Sequence, residues 1–279
     1  PGGTGRVWPQ QFSVSVLANG SWLSESVESG PSAFQVFWPE ASAGLLNADG
    51  KGYGLFPVDP ELFFAWQSLD DTQRGSLLVS LFENLLDGNS ISVGDYLKRL
   101  ITIIEIEDNQ LLLNLMLRQV NTLYWNFLSD AARIEAAVAF EETLWTLMLD
   151  ADNPSSKKIF FDAYCDLALT RGALDQLLKV SNAETIVDGL ILSETDRIAL
   201  SANLAIKIPD RAEQIVSRQL SQIGNEDRKR RFEWIKPALS ADPRIRDAFF
   251  ETLSDEDNRA IESWVLEALE ALHHPLRRE

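Results

Sequence analysis

The hydrophobic pattern changes period once, at Asp59-Pro60, and that change limits the folds open to this chain. Ahead of it, Phe12-Ser13-Val14-Ser15-Val16-Leu17 alternates apolar and polar residues, the two-residue period of a half-buried strand. Asn19-Gly20 is a hairpin turn signal, and Trp22-Leu23 restarts an extended segment. Phe34-Gln35-Val36-Phe37-Trp38 reads as another strand, stopped by Pro39. Asn47-Ala48-Asp49-Gly50-Lys51-Gly52 supplies turn chemistry, and Tyr53 to Val58 reads as a last strand. Residues 1–59 are therefore expected to form a small antiparallel β-sandwich or partial barrel.

Beyond Pro60 the period is helical. Leu77, Leu78, Leu81 and Leu85 recur on one helix face, as do Leu97, Leu100, Ile101 and Ile104. Ile134, Val138, Glu141, Leu144, Trp145 and Met148 form a stripe with one polar interruption, and Ile261, Trp264, Val265, Ala268 and Leu272 form another. The expectation is a mostly α chain, with eleven to thirteen helices over residues 60–279. A capping signature, Leu-[Ser/Asp]-x-x-x-Arg, recurs at Leu69, Leu128 and Leu192, and with one extra residue at Leu253. Ser or Asp can accept a hydrogen bond from an orphan helix N–H, and first-turn acids suit the positive helix end. The four leucines lie 59, 64 and 61 residues apart, which suggests pairs of helical hairpins stacked along a solenoid.

Composition excludes several functions. The chain has 279 residues with 25 Lys plus Arg against 42 Asp plus Glu, a formal net charge of −17. Residues 1–60 hold 2 basic and 5 acidic side chains, residues 61–199 hold 10 and 22, and residues 200–279 hold 13 and 15. The regional charges are thus −3, −12 and −2. Such a surface repels a phosphate backbone and an acidic membrane, so neither nucleic acid nor membrane is an expected partner. No apolar run approaches the roughly 18 residues of a membrane helix. Pro1 to Gln11 lacks the apolar core of a signal peptide, and a start at Pro1-Gly2-Gly3 reads as a cut fragment. Cys165 is the single cysteine, so no intrachain disulfide or thiolate metal cluster is available. A soluble protein is expected, with the cytoplasm favoured.

Chemistry-bearing motifs are few. His273 and His274 are adjacent, about 100° apart on a helix, and cannot grip one metal as an i, i+4 pair does. Pro275 places them at a helix end, near its last carbonyls. His-Glu-x-x-His, a phosphate-binding Gly-rich loop and a Gly-x-Ser-x-Gly elbow are all absent from the sequence. Gly50-Lys51-Gly52-Tyr53-Gly54 precedes a strand reading, which suits a hairpin turn rather than phosphate. Glu105-Ile106-Glu107-Asp108 and Glu141-Glu142 read as helix ends or solvated faces. Arg228-Lys229-Arg230-Arg231 stands out as four consecutive basic residues in the least acidic third. It reads either as a solvated helix face or as an anion site for a carboxylate, since a guanidinium offers two parallel donors.

Together these segments resemble the C-terminal region of aminopeptidase N-like zinc metallopeptidases of bacterial type. Their transition strand reads Asn-x-x-Gly-x-Gly-Tyr-Tyr-Arg-Val-x-Tyr-Asp. This chain keeps Asn47, Gly50, Gly52, Tyr53 and Asp59 and departs at Gly54, Leu55 and Val58. Leu69 to Leu78 is similar to the family's first cap, echoed by Asp87-Gly88 and Tyr96-Leu97. Arg246 to Phe250, Trp264 to Leu269 and Leu272 to Arg277 resemble later helices. The resemblance implies a β-sandwich followed by a HEAT-like superhelix that caps a peptide chamber. It also implies that zinc, its ligands and the general base reside in an upstream thermolysin-like domain. No catalytic or metal residue is carried over to this chain, so this piece is expected to bind no stoichiometric zinc and to cleave no aminoacyl amide. The implied partners are that upstream domain and peptide substrates, with Arg228, Arg230 or Arg231 steering the peptide carboxylate. A stand-alone α-solenoid that scaffolds protein interactions is the rival reading. Either way, the N-terminal module is expected to dock on the first helices through Trp8, Trp22, Trp38 and Trp66, because about 60 residues alone bury too little surface.

Overall fold

Asn19 and Gly20 both take positive φ, 52° and 76°, the backbone of a two-residue primed turn that follows the twist of the strands it joins. The computed structural model describes residues 9–29, 41–88 and 91–277. Among these, the turn joins β1 (Gln10–Ala18) to β2 (Ser21–Ser29), and β3 (Ala41–Leu45) pairs with the other edge of β1. The result is a three-stranded antiparallel sheet in the order β2-β1-β3. Phe12, Val14 and Val16 alternate onto one face and pack with Val27, Leu46 and Phe56. On the opposite face Ser15 is buried, and its Oγ lies 2.6 Å from Ser24 Oγ.

What covers Ser15 is a helix, not a second sheet. Gln73 of α1 (Asp71–Leu86) donates to Ser15 Oγ at 3.1 Å, and Ser76 donates to the Asn47 carbonyl at 2.5 Å. Asn84 donates to the Phe56 carbonyl at 2.7 Å. The described residues thus form one sheet layer backed by α1 rather than the expected sandwich. Trp22 joins this docking by donating to Ser68 Oγ at 2.9 Å, whereas Trp66 is buried beside Phe63. Trp8, Trp38 and the segment Phe34 to Trp38 lie outside the described residues. Tyr53 to Val58 is not a strand. Gly54 at φ 148° breaks the pleat, Pro57 has no N–H, and the Tyr53 backbone pairs with the Gln10 side chain instead.

Helix begins at Pro60, with a 3₁₀ segment Pro60–Ser68 capped by Asp59, and then α1, α2 (Val93–Ile104) and α3 (Gln110–Asn126) follow. The chain divides into two compact units, Pro1–Leu123 and Tyr124–Glu279, with the division in the last turn of α3. In the first unit Leu77, Leu78, Leu81 and Leu100 are fully buried. Gln119 bridges the helices there, accepting from Tyr96 Oη at 2.8 Å and donating to the Leu78 carbonyl at 3.3 Å.

The second unit holds α4 (Asp130–Asp150), α5 (Pro154–Leu167), α6 (Arg171–Ser181), α7 (Glu194–Lys207), α8 (Ala212–Gln222), α9 (Glu226–Ile235), α10 (Pro243–Thr252) and α11 (Glu262–Leu272). Phe232, Leu239, Phe249 and Ala268 form part of its core, with Trp234 packed between Phe249 and Trp264. Eleven α-helices are present among the described residues. Two expectations fail here. On α4, Ile134 and Val138 are 59% and 56% exposed, and the buried face runs through Arg133, Ala137, Glu141, Leu144 and Met148. Ile261 is likewise exposed ahead of α11.

Asp70, Ser129 and Ser193 do cap α1, α4 and α7, and Asp70 and Ser193 complete reciprocal capping boxes with Gln73 and Asp196. The fourth copy does not start a helix. Ser254 donates back to the Glu251 carbonyl at 2.8 Å, closing the end of α10. Each spacing of 59 or 64 residues between the three working caps encloses three helices, α1–α3 and then α4–α6, rather than two hairpins.

Candidate functional site

Asn225 caps α9 by accepting from the backbone of Asp227 and Arg228, so the basic run Arg228 to Arg231 winds through the helix's first turns. Residues three apart share a face. Arg228 and Arg231 accordingly line one groove of about 160 Å³, floored by Ile198, Ala199, Phe232 and Ile235. Arg230 points elsewhere and pairs with Asp227 of its own helix. The structure therefore brings together two of the three candidate arginines. Both already hold a carboxylate. Arg228 Nη1 lies 3.0 Å from Glu194 Oε1, and Arg231 Nε donates to Glu267 Oε2 at 2.5 Å with Nη2 on the same oxygen. The Gly224 N–H, and then Arg228, hold the Glu194 carboxyl below its ordinary range. Arg228 uses a single Nη1 contact and its side chain is 48% exposed, so it is the more open of the two.

The buried ionisable groups lie elsewhere, and sequence reasoning missed them. Glu107, expected in a solvated run, has no side-chain exposure. Its Oε2 accepts from Trp66 Nε1 at 3.0 Å and pairs with Arg74 at 3.0 Å, while Oε1 accepts from the Asn109 N–H at the start of α3. Arg74 lies over the Trp66 ring at 5.7 Å. The second unit repeats the device. Arg133 lies over Trp125 at 5.2 Å, and Trp125 Nε1 donates to the Asp166 carbonyl at 3.2 Å. In both units the indole reaches an acceptor 41 residues further on. The sequence signal was a tryptophan three residues ahead of the capping leucine, present at Trp66 and Trp125 and replaced by Gly189 in the third copy. There Arg197 is exposed.

Glu141, the second misread acid, is buried and accepts from the Leu169 and Thr170 N–H groups at 2.6 and 2.8 Å, at the start of α6. Lys207 reaches the other side of the same junction. Its buried Nζ donates to the Cys165 and Asp166 carbonyls, at 2.6 and 2.8 Å, where α5 ends. An anion at a helix start and a cation at a helix end both oppose the local backbone dipole. Burial lowers the Lys207 pKa to about 8. It also pushes the Cys165 thiol well up, which leaves that thiol a poor nucleophile. His274 packs its ring on Trp125 at 4.6 Å and His273 packs on Phe250 at 6.0 Å, so the pair serves aromatic packing as well as the end of α11. Glu141 and Lys207 hold helix ends together, Lys207 through two backbone carbonyls and Glu141 through two backbone N–H groups and the Thr170 hydroxyl.

Among the described residues no group of three His, Cys, Asp or Glu side chains is placed to hold a metal ion. No described helix is long and apolar enough to cross a membrane. No protein-family model matches the chain, and no curated protein matches it.

Proposed function

We propose that this chain is the non-catalytic C-terminal region of an aminopeptidase N-like zinc metallopeptidase, in which a HEAT-like superhelix closes a peptide chamber over an upstream thermolysin-like domain. The turn from the sheet into the helices carries this reading. Asn47 and Gly50 sit at φ 54° and 68°, and the Asn47 carboxamide pairs with both backbone groups of Gly52. A Cβ at Gly52 would stand 2.6 Å from the Phe56 ring. Of the five residues this chain shares with the family's transition strand, Asn47, Gly50 and Gly52 are thus ones the turn geometry demands and Asp59 caps the 3₁₀ segment that follows, while the departures at Gly54, Leu55 and Val58 fall on a segment that pairs with no strand. In this reading zinc and its ligands belong to the upstream domain, and Arg228 is the best-placed residue to meet a peptide carboxylate.

The test begins with the coding sequence upstream of Pro1, where His-Glu-x-x-His is expected. The full-length protein should hydrolyse alanyl or leucyl anilides in a chelator-sensitive way, and Arg228→Ala should raise KM for free-carboxylate peptides while sparing their C-terminal amides. Absence of the upstream motif overturns the reading. The rival reading, an interaction scaffold, is favoured by one feature of the second unit, an acid-rimmed groove formed by α8, α9 and α10.

A further inference from the structure

Where α8 starts, α9 ends and α10 starts, the second unit opens a groove of about 520 Å³, within the roughly 300–1,000 Å³ typical of ligand sites. Its floor is apolar and closely packed: Ala212, Val216 and Leu239 are no more than 2% exposed. Ile245 stands on one wall, 48% exposed, so a large aliphatic side chain is held in water beside the floor.

The rim is acidic. Asp210, Glu213, Glu233 and Asp242 border the groove, with Lys236 the basic residue among its lining. Asp242 is committed to capping α10 and pairing with Arg244. Asp210, Glu213 and Glu233 are solvent-exposed and have neither an ion pair nor a side-chain hydrogen bond among the described residues. This differs from the neighbouring groove under Arg228 and Arg231, where each charge meets its opposite.

We propose that this groove docks an arginine-bearing apolar segment of a partner protein, an aliphatic side chain on the Val216–Leu239 floor and a guanidinium against Glu213 and Glu233. Charge selects this occupant. A second copy of the chain would bring net −17 to an acidic rim, and a nucleic acid would bring phosphates. A purely aliphatic segment would leave the three carboxylates unmatched, and a guanidinium matches a carboxylate with two parallel donors. The inference holds whether the chain is a peptidase segment or a scaffold, because it rests on this groove alone.

The probe is a fluorescein-labelled, end-capped hexapeptide alternating leucine and arginine, read by anisotropy against its leucine–glutamate counterpart. The arginine peptide should bind and the glutamate peptide should not. Glu213→Lys with Glu233→Lys should weaken binding about tenfold or more, and Ile245→Ser should weaken it several-fold. Glu251→Lys with Glu270→Lys changes the net charge equally at exposed sites away from the groove, and should leave binding within about twofold. Circular dichroism checks that each variant is folded. Equal losses in the two charge-reversed pairs would reduce the effect to net charge and overturn the proposal. No binding of the arginine peptide, or no response to Ile245→Ser, overturns it as well.

Discussion

Lys207 is the residue at which burial and charge oppose each other most directly. Its Nζ has traded water for two carbonyls and the Trp125 ring at 5.4 Å, with Glu141 and Asp166 as the nearby acids. A lysine at about 8 in the folded state and near 10.5 when unfolded binds more protons unfolded across that window. Its contribution to stability is therefore present above the unfolded value and lost as pH falls through about 8. Stability measured by urea unfolding should rise between pH 8 and 9.5 by about 1–2 kcal/mol more in the natural chain than in Lys207→Met. A rise of the same size in both would place the titration elsewhere. None of this was legible in the sequence. Glu107 and Glu141 look like ordinary charges in their local runs and Lys207 like a lone charge between Ile206 and Ile208, because what buries them is a partner or helix end 28 to 42 residues away.

Helix starts, by contrast, were legible, because a cap is a contact within three residues. Ser193 accepts from the Asp196 N–H at 3.2 Å, and the Asp196 carboxylate accepts in return from the Ser193 N–H at 2.8 Å. Ser254 shares the same local text, Leu-Ser followed by acids, yet it donates to a helix end. Ser193→Ala should accordingly cost about 1 kcal/mol in chemical denaturation. Ser254→Ala should stay within about 0.5 kcal/mol of the natural chain. Comparable losses would mean that the fourth copy caps a helix after all. The arginine five residues after the leucine shows the same limit on local reading. At Arg74 and Arg133 it folds over a tryptophan eight residues earlier, and at Arg197, with no tryptophan there, it stays in solvent.

At the scale of the molecule, the period change at Asp59-Pro60 located the switch from sheet to helix but not where the sheet finds its second layer. Strand alternation shows that β1 has two faces, and it reads one of them as buried in a sandwich or partial barrel of strands. The half-buried Ser13 and the buried Ser15, set amid Phe12, Val14 and Val16, need polar counterparts that only the folded chain identifies: Asp49 for Ser13 and Gln73 for Ser15. Gln73, Ser76 and Asn84 lie on α1 at spacings of three and eight, one helix face turned to the sheet and the strand-to-helix turn. Removing α1 would uncover the back of β1 and strip hydrogen bonds from the Asn47 and Phe56 carbonyls, each costing about 1 kcal/mol or more if left poorly solvated. A chain truncated to residues 1–59 should therefore show no cooperative urea transition in tryptophan fluorescence or circular dichroism. A chain of residues 1–126, which retains α1 to α3 and the first compact unit, should unfold in a single sigmoidal step. Replacing Gln73 with Ala in that longer piece should lower its midpoint, because Gln73 both completes the α1 capping box and satisfies Ser15. If residues 1–59 unfold cooperatively by themselves, the sheet carries its own core and α1 is only its neighbour.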